Sequence, residues 1–63
     1  MKEYFTIIRT IEALGPNVWS VVAHVEGKEA ADHARDFFEA NWPYEKTGVD
    51  GVVNYRYEVI RDV

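Results

Sequence analysis

The first candidates for chemistry are the acidic and imidazole side chains between residues 27 and 42, which read GKEAADHARDFFEANW. At helical spacing, Glu29, His33 and Asp36 would lie within about one turn of each other, and three such ligands could hold a metal ion. The same spacing is more often that of charge pairs on a solvated helix face. We therefore expect no metal ion at these residues.

Other side chains that support catalysis are scarce. The chain has no Cys, and Ser20, its only serine, lacks the surroundings of a nucleophile elbow. It also has no glycine-rich phosphate loop and no zinc-ligand spacing. Acid pairs such as Glu29 and Asp32 exist, but so small a two-layer domain leaves little volume for a buried site of the usual ~300 Å3 or more. We expect a protein that is not an enzyme and has no catalytic residue and no cofactor.

Length and charge narrow the function classes further. The 63 residues make one small domain, and eleven acids against seven bases give a net charge of −4. This balance disfavours a generic nucleic-acid binder, which needs a basic surface to neutralise phosphates, and it disfavours attachment to an anionic membrane. No apolar run approaches the ~20 residues that span a bilayer, and the lack of Cys fits a reducing compartment. We expect a cytoplasmic protein.

Hydrophobic periodicity predicts three strands and one helix in the order β-β-α-β. Alternating β-branched and aromatic residues indicate the strands, and apolar residues at helical spacing indicate a single helix, with Gly27 as its N-cap and Pro43 at its end. The predicted strands cover residues 4–11, 18–25 and 52–60, and the last strand could extend to Val63. The predicted helix covers residues 27–42. A turn is predicted over residues 12–17, around Gly15-Pro16, and a loop over residues 43–51.

This order of elements predicts a two-layer α+β fold. A right-handed crossover through the helix places the last strand beside the first, which gives a three-stranded antiparallel sheet of order 2-1-3 with the helix on one face. Arg9 is the one charged residue on an otherwise apolar strand face. The expected core, with Ala30 beside it on the inner side of the helix, comprises Phe5, Ile7, Trp19, Val21, Ala23, Ala31, Ala34, Phe37, Phe38, Val53, Tyr55, Tyr57 and Val59.

One candidate binding surface lies on the outer side of the helix. We name it the acidic ridge; it consists of Glu29, Asp32, Asp36 and Glu39, spaced 3, 4 and 3 residues apart. Such a row is either a solvated face that keeps the protein in solution or a docking surface for a basic partner. Nearby bases at Lys28 and Arg35 are expected to offset part of the repulsion.

Two further candidates lie on the sheet. The edge strand at 18–25 has no Lys, Pro or acid, and unprotected edges pair with other chains. Tyr44, in the corner Trp42-Pro43-Tyr44, is an aromatic residue of the kind that anchors interfaces. The open face, meaning the side of the sheet opposite the helix, is expected to carry Tyr4, Ile8, Val18, Val22, Arg56 and Ile60.

Two local sequences resemble a known family. The helix contains Glu29-Ala30 followed by Ala34, and the last strand ends in Tyr57-Glu58-Val59-Ile60-Arg61. With the element order, acidic balance and size, they resemble the small inhibitor of bacterial RNA polymerase made by T7-like phages. The resemblance implies docking on the polymerase through an acidic strip and arginines of the last strand, of which Arg61 is present. The loop at 43–51 is longer than the family's, and Val63 replaces a second arginine.

These observations together predict a non-enzymatic interaction protein, of the type that phages use to disable a host machine. Its partner would be a host polymerase or another nucleic-acid-processing or defence enzyme, without direct contact to nucleic acid or membrane. The alternatives are a module that forms homo-oligomers through its sheet, and an RNA-binding platform that uses Tyr4, Tyr44 and Arg56. The predicted partner-binding residues are Glu29, Asp32, Asp36, Glu39, Tyr44, Arg56 and Arg61.

Overall fold

One α-helix packs on one face of an antiparallel sheet in the computed structural model, which describes residues 2–15 and 17–62. The α+β class predicted from the sequence is confirmed. The predicted number of strands is wrong, because the sheet has four strands instead of three. The elements are β1 (Tyr4–Ile11), a 3-10 turn (Glu12–Leu14), β2 (Trp19–Glu26), α1 (Lys28–Asn41), β3 (Tyr44–Thr47) and β4 (Gly51–Arg61).

The central strand of the core is β1. It pairs with β2 on one side and with the C-terminal half of β4 on the other, so the predicted adjacency of the first and last strands is confirmed. The strand order is β2-β1-β4-β3, which makes β2 an edge strand as predicted. The predicted turn at Gly15-Pro16 and the predicted extension to Val63 fall partly outside the described residues.

A β-hairpin replaces the loop predicted over residues 43–51. In it, β3 pairs with the N-terminal half of β4, with Tyr44 opposite Asn54 and Thr47 opposite Gly51. Gly48 supplies the positive φ (69°) that the tight connection needs, and a Cβ on Gly51 would lie 2.2 Å from the carbonyl oxygen of Thr47. All of β3 is exposed, so no buried face imposes an apolar alternation that would reveal this strand in the sequence.

A one-residue irregularity in β2 reverses the faces predicted for its first half. Ile7 lies opposite Ala23, but the next residue, Ile8, lies opposite Val21, so Val22 is an extra residue on β2. As a result Val22 turns to the side of the helix, while Trp19 and Val21 turn to the open face. The predicted core positions of Trp19 and Val21, and the predicted open-face position of Val22, are therefore wrong.

The core lies between the helix and β1. Phe5 and Ile7 are buried on the helix side of β1, and Ala31 is the one fully buried residue of α1 among the described residues. Phe38 stacks on buried Tyr57, with ring centroids 5.5 Å apart. The predicted core position of Phe37 is wrong, since more than half of its side chain is exposed. The other predicted core residues, Ala23, Ala34, Val53, Tyr55 and Val59, are half-buried, and Ala30 is exposed.

The molecule is elongated. Its principal extents are 49 × 23 × 11 Å, and its radius of gyration of 12.9 Å exceeds the about 11 Å of a compact domain of this length. The exposed hairpin of β3 and β4 accounts for part of this length. Within residues 2–15 and 17–62, no helix has both the length and the apolar character that crossing a bilayer requires.

Candidate functional site

The open face of the sheet presents a different set of apolar residues from the one that the sequence predicts. Trp19 is opposite Thr10 and Val21 is opposite Ile8, so both lie on the side away from the helix, where they are 55% and 47% exposed. Ile8 is buried beside Val21, while Tyr4 and Ile60 are about half exposed on the same face. Large apolar patches of this kind on a small protein tend to be contact sites.

A polar cluster lies at one end of the open face. The Thr6 hydroxyl donates a hydrogen bond to the Asp62 carboxylate and lies 3.2 Å from Nδ1 of His24, which is itself 3.9 Å from the Asp62 carboxylate. A hydroxyl, an imidazole and a carboxylate are the groups of a catalytic triad, but there the imidazole lies between the other two. Here the threonine is in the middle and gives its proton to the carboxylate. The cluster therefore links neighbouring strands and does not activate a nucleophile.

The acidic ridge carries its own counter-ions. The Lys28 ammonium donates to both carboxylate oxygens of Asp32 at 2.8 and 2.9 Å, and the Arg35 guanidinium lies 3.3 Å from the Asp36 carboxylate. The predicted offset by these two bases is confirmed. Glu29 and Glu39 are exposed at the two ends of the ridge. Half of the ridge is thus neutralised within the helix, and its outward negative charge comes chiefly from the two glutamates.

The pairing of Lys28 with Asp32 affects the pKa of Asp32. The hydrogen bonds from Lys28 hold the pKa of this carboxyl below its usual range. A carboxyl with a lowered folded-state pKa stabilises the fold above its unfolded pKa, and this contribution is lost as the pH falls through the folded-state value. We expect Lys28→Met to raise the pKa of Asp32 toward its ordinary value, as measured by NMR titration of the carboxyl carbon. An unchanged pKa would show that the pair does not persist in solution.

The predicted partner-binding residues do not form one surface. The acidic ridge lies on the outer side of the helix, whereas Arg56 lies on the open face next to Thr10, on the other side of the sheet. Arg61 is opposite Phe5, on the helix side, and its guanidinium is 3.2 Å from the Glu3 carboxylate. Tyr44 begins the exposed strand β3. A single flat partner could therefore contact only part of this set.

An aromatic cleft, which the sequence does not predict, opens between the C-terminal end of α1 and the hairpin. Its volume is about 330 Å3, within the range of small-molecule sites. This cleft is open to solvent, unlike the buried site for which the sequence leaves little volume, and the hairpin supplies one of its walls. Five aromatic residues line the cleft together with one aliphatic and two charged residues: Phe38, Trp42, Tyr44, Tyr55, Tyr57, Val22, Arg9 and Glu45.

Two opposite charges in the cleft are separated by one tyrosine. The Arg9 guanidinium lies 4.3 Å from the centre of the Tyr55 ring, which explains the charged residue on an apolar strand face as a cation–π contact. The Tyr55 hydroxyl donates a short hydrogen bond to the Glu45 carboxylate, and this bond raises the pKa of Tyr55. Among the described residues, no carboxylate lies within ion-pair distance of Arg9.

One signal in the sequence points to the cleft. Arg9 interrupts an apolar strand face, and Tyr55 and Tyr57 lie on the side of the last strand that alternation predicts to be buried. The predicted pairing of the first and last strands therefore already brings a cation close to aromatic rings.

Comparisons with protein-family models, curated proteins and solved structures found no match for this chain. In the part of the chain that the structure describes, no group of three or more His, Cys, Asp or Glu side chains is arranged to hold a metal ion.

Proposed function

We propose that this chain is a non-enzymatic interaction protein that docks on a larger protein through the open face of its sheet. In full, the proposal is a phage-type inhibitor or regulator that acts in the host cytoplasm on RNA polymerase or another nucleic-acid-handling or defence enzyme. The observation that carries it is the half-exposed pair Trp19 and Val21 on this face, in the edge strand β2. The resemblance of Tyr57–Arg61 to the phage inhibitor family favours polymerase as the first target to test.

The open face has the anatomy of a contact surface. Tryptophan is among the residues that most often dominate binding energy, and here Trp19 is held on a strand and about half exposed. Polar residues border the apolar centre, with Arg56 and Glu58 on the β4 side. The outer edge of β2 pairs with no other strand of the described chain, so a partner strand could also extend the sheet there.

The acidic ridge has a different part in this proposal. It lies on the far side of the molecule from the open face, so one partner surface cannot cover both. Its outward glutamates and the net charge of −4 contribute to the field around the protein. Such a field speeds and orients the encounter with a basic surface more than it strengthens the final complex.

The proposal predicts that Val21→Lys weakens binding to purified bacterial RNA polymerase at least about tenfold, because it introduces an unpaired charge at the centre of the contact. The matched control is Val49→Lys, which changes an exposed valine in the turn between β3 and β4, away from the proposed contact surface. Affinity is measured from the binding of each variant to polymerase immobilised on a sensor surface. Circular dichroism checks that both variants are folded. Val22→Lys is unsuitable, because Val22 faces the helix side.

The outcomes separate the parts of the proposal. Equal binding by wild type and Val21→Lys would reject the open face, and no binding by wild type would reject polymerase as the target. Light scattering on the same samples tests the alternative of a homo-oligomer, which the edge strand β2 favours. A wild-type mass that is a multiple of 7.3 kDa, reduced to one chain by Val21→Lys, would show that a second copy occupies this face.

A further inference from the structure

We infer that the aromatic cleft binds a small aromatic molecule that carries both a carboxylate and an ammonium group, as a free aromatic amino acid does. The inference rests on three features of the cleft: its volume of about 330 Å3, its rigid aromatic walls, and its two separated charges. It does not depend on the docking function, because the cleft lies on the helix side of the sheet and the proposed contact surface lies on the other.

The aromatic walls are held in place by contacts within the protein. Phe38 stacks on Tyr57 with an interplanar angle of 18°, and Trp42 packs against Phe38 with ring centroids 5.9 Å apart. The Tyr57 hydroxyl donates a 2.8 Å hydrogen bond to the carbonyl oxygen of Trp42, which fixes the chain where the helix ends. Walls that are already ordered lose little conformational entropy on binding, and they suit a flat ring that can stack.

The cation in the cleft is available to a ligand carboxylate. Arg9 comes from the central strand, and contact with the face of Tyr55 orients its guanidinium while leaving the N–H groups at its edge without a carboxylate among the described residues. A guanidinium is a planar fork that binds a carboxylate through two parallel hydrogen bonds. Arg9 also disfavours a purely cationic ligand, although aromatic clefts of this kind otherwise attract one.

The Glu45 carboxylate in the cleft favours a ligand that carries a positive charge in addition to its carboxylate. The Tyr55 hydroxyl holds Glu45 at the hairpin wall, so Tyr55 lies between the carboxylate and Arg9 and the two do not neutralise each other directly. A ligand with only a carboxylate would meet repulsion from Glu45, and one with only an ammonium would meet repulsion from Arg9. A zwitterion can satisfy both, with its ring against Trp42 and Phe38.

The test is an NMR titration of the full chain with L-phenylalanine, 3-phenylpropionate and phenethylamine, which share a ring and differ in charge. The two tryptophan indoles act as internal reporters, since Trp42 lines the cleft and Trp19 lies on the open face. We expect L-phenylalanine to shift the Trp42 signal and not the Trp19 signal, with a Kd on the order of 1 mM for a ligand of this size. Each singly charged analogue should bind at least about tenfold more weakly.

Variants distinguish recognition from a change in the fold. Glu45→Gln should weaken the binding of L-phenylalanine, because it removes the attraction to the ligand ammonium. It should strengthen the binding of 3-phenylpropionate, because it removes the repulsion of the ligand carboxylate. Arg9→Met should weaken L-phenylalanine and strengthen phenethylamine by the same reasoning. Glu58→Gln, an exposed glutamate on the open face, is the matched control and should change neither.

Three results would overturn the inference. The first is a Trp42 indole signal that does not shift up to a concentration of L-phenylalanine well above the expected Kd. The second is equal affinity for the three ligands, which would leave only non-selective stacking. The third is a change in the same direction for both ligands in Glu45→Gln, because a distorted cleft would weaken all binding alike.

Discussion

Replacing Ile7 by alanine is expected to remove most of the stability of this domain. Ile7 is fully buried in the central strand, between Ala23 of β2 and Val59 of β4. Truncating a buried isoleucine costs about 2–5 kcal/mol in lost burial and an unfilled cavity. A domain of 63 residues has a total of roughly 3–9 kcal/mol at typical values per residue. Urea unfolding followed by circular dichroism should show a large drop in midpoint, or a variant that is mostly unfolded in water.

The matched control for this change is Ile60→Ala. Ile60 lies on the open face in β4, and 46% of its side chain is exposed. The same atoms are removed there from a site that is already half in water, so the free energy of unfolding should fall by less than about 1.5 kcal/mol. Similar losses from both changes would contradict a core that lies on one side of the sheet, and would mean that a second copy or another layer covers the open face.

The elements that follow one strong pattern are predictable from this sequence. β1 has the predicted bounds, because β-branched and aromatic residues dominate it from Tyr4 to Ile11. The helix begins after Gly27 and ends just before Pro43, as local backbone preferences require. The position of the last strand beside the first follows from the short connections and their handedness.

The reversal of faces in β2 was not predictable. Val21 and Val22 are chemically identical, and an uninterrupted alternation assigns the core face to Val21 together with Trp19. The extra residue at Val22 appears only in the pairing with β1, where it turns Trp19 and Val21 to the open face. The proposed contact surface therefore depends on a feature of tertiary pairing that local periodicity does not contain.

The pairing of the first and last strands could place Arg9 near the tyrosines, but the complete cleft was not predictable for a related reason. Its residues come from five elements, so that Arg9 and Tyr55 are 46 positions apart and meet only because β1 pairs with β4. The hairpin wall that carries Glu45 is polar and exposed, and its sequence resembles a loop. By contrast, the acidic ridge is a helical repeat that is visible in the sequence, as are the bases Lys28 and Arg35 that pair with it, and the structure adds the geometry of these pairs.

The second large effect is expected from Ala31→Leu. Ala31 is fully buried in α1, and its small side chain allows the helix to lie close to the sheet. A leucine adds three carbons to a position without space, and such overpacking costs about 1–3 kcal/mol. Because the added bulk pushes the helix outward, the stacking of Phe38 on Tyr57 should loosen as well. Urea unfolding measures the loss in stability, and the NMR signals of the Tyr57 ring report the displacement.

Ala30→Leu provides the control, because Ala30 precedes Ala31 in the same helix and is exposed. Leucine forms helices nearly as well as alanine, so this change should alter stability by no more than about 0.5 kcal/mol. A larger loss at Ala30 than at Ala31 would mean that the helix is rotated by one residue, about 100°. That rotation would bury Phe37, which lies two turns after Ala30, and would take Phe38 away from Tyr57. The pair of alanine variants therefore tests the position of the helix and, with it, the wall on which the aromatic cleft depends.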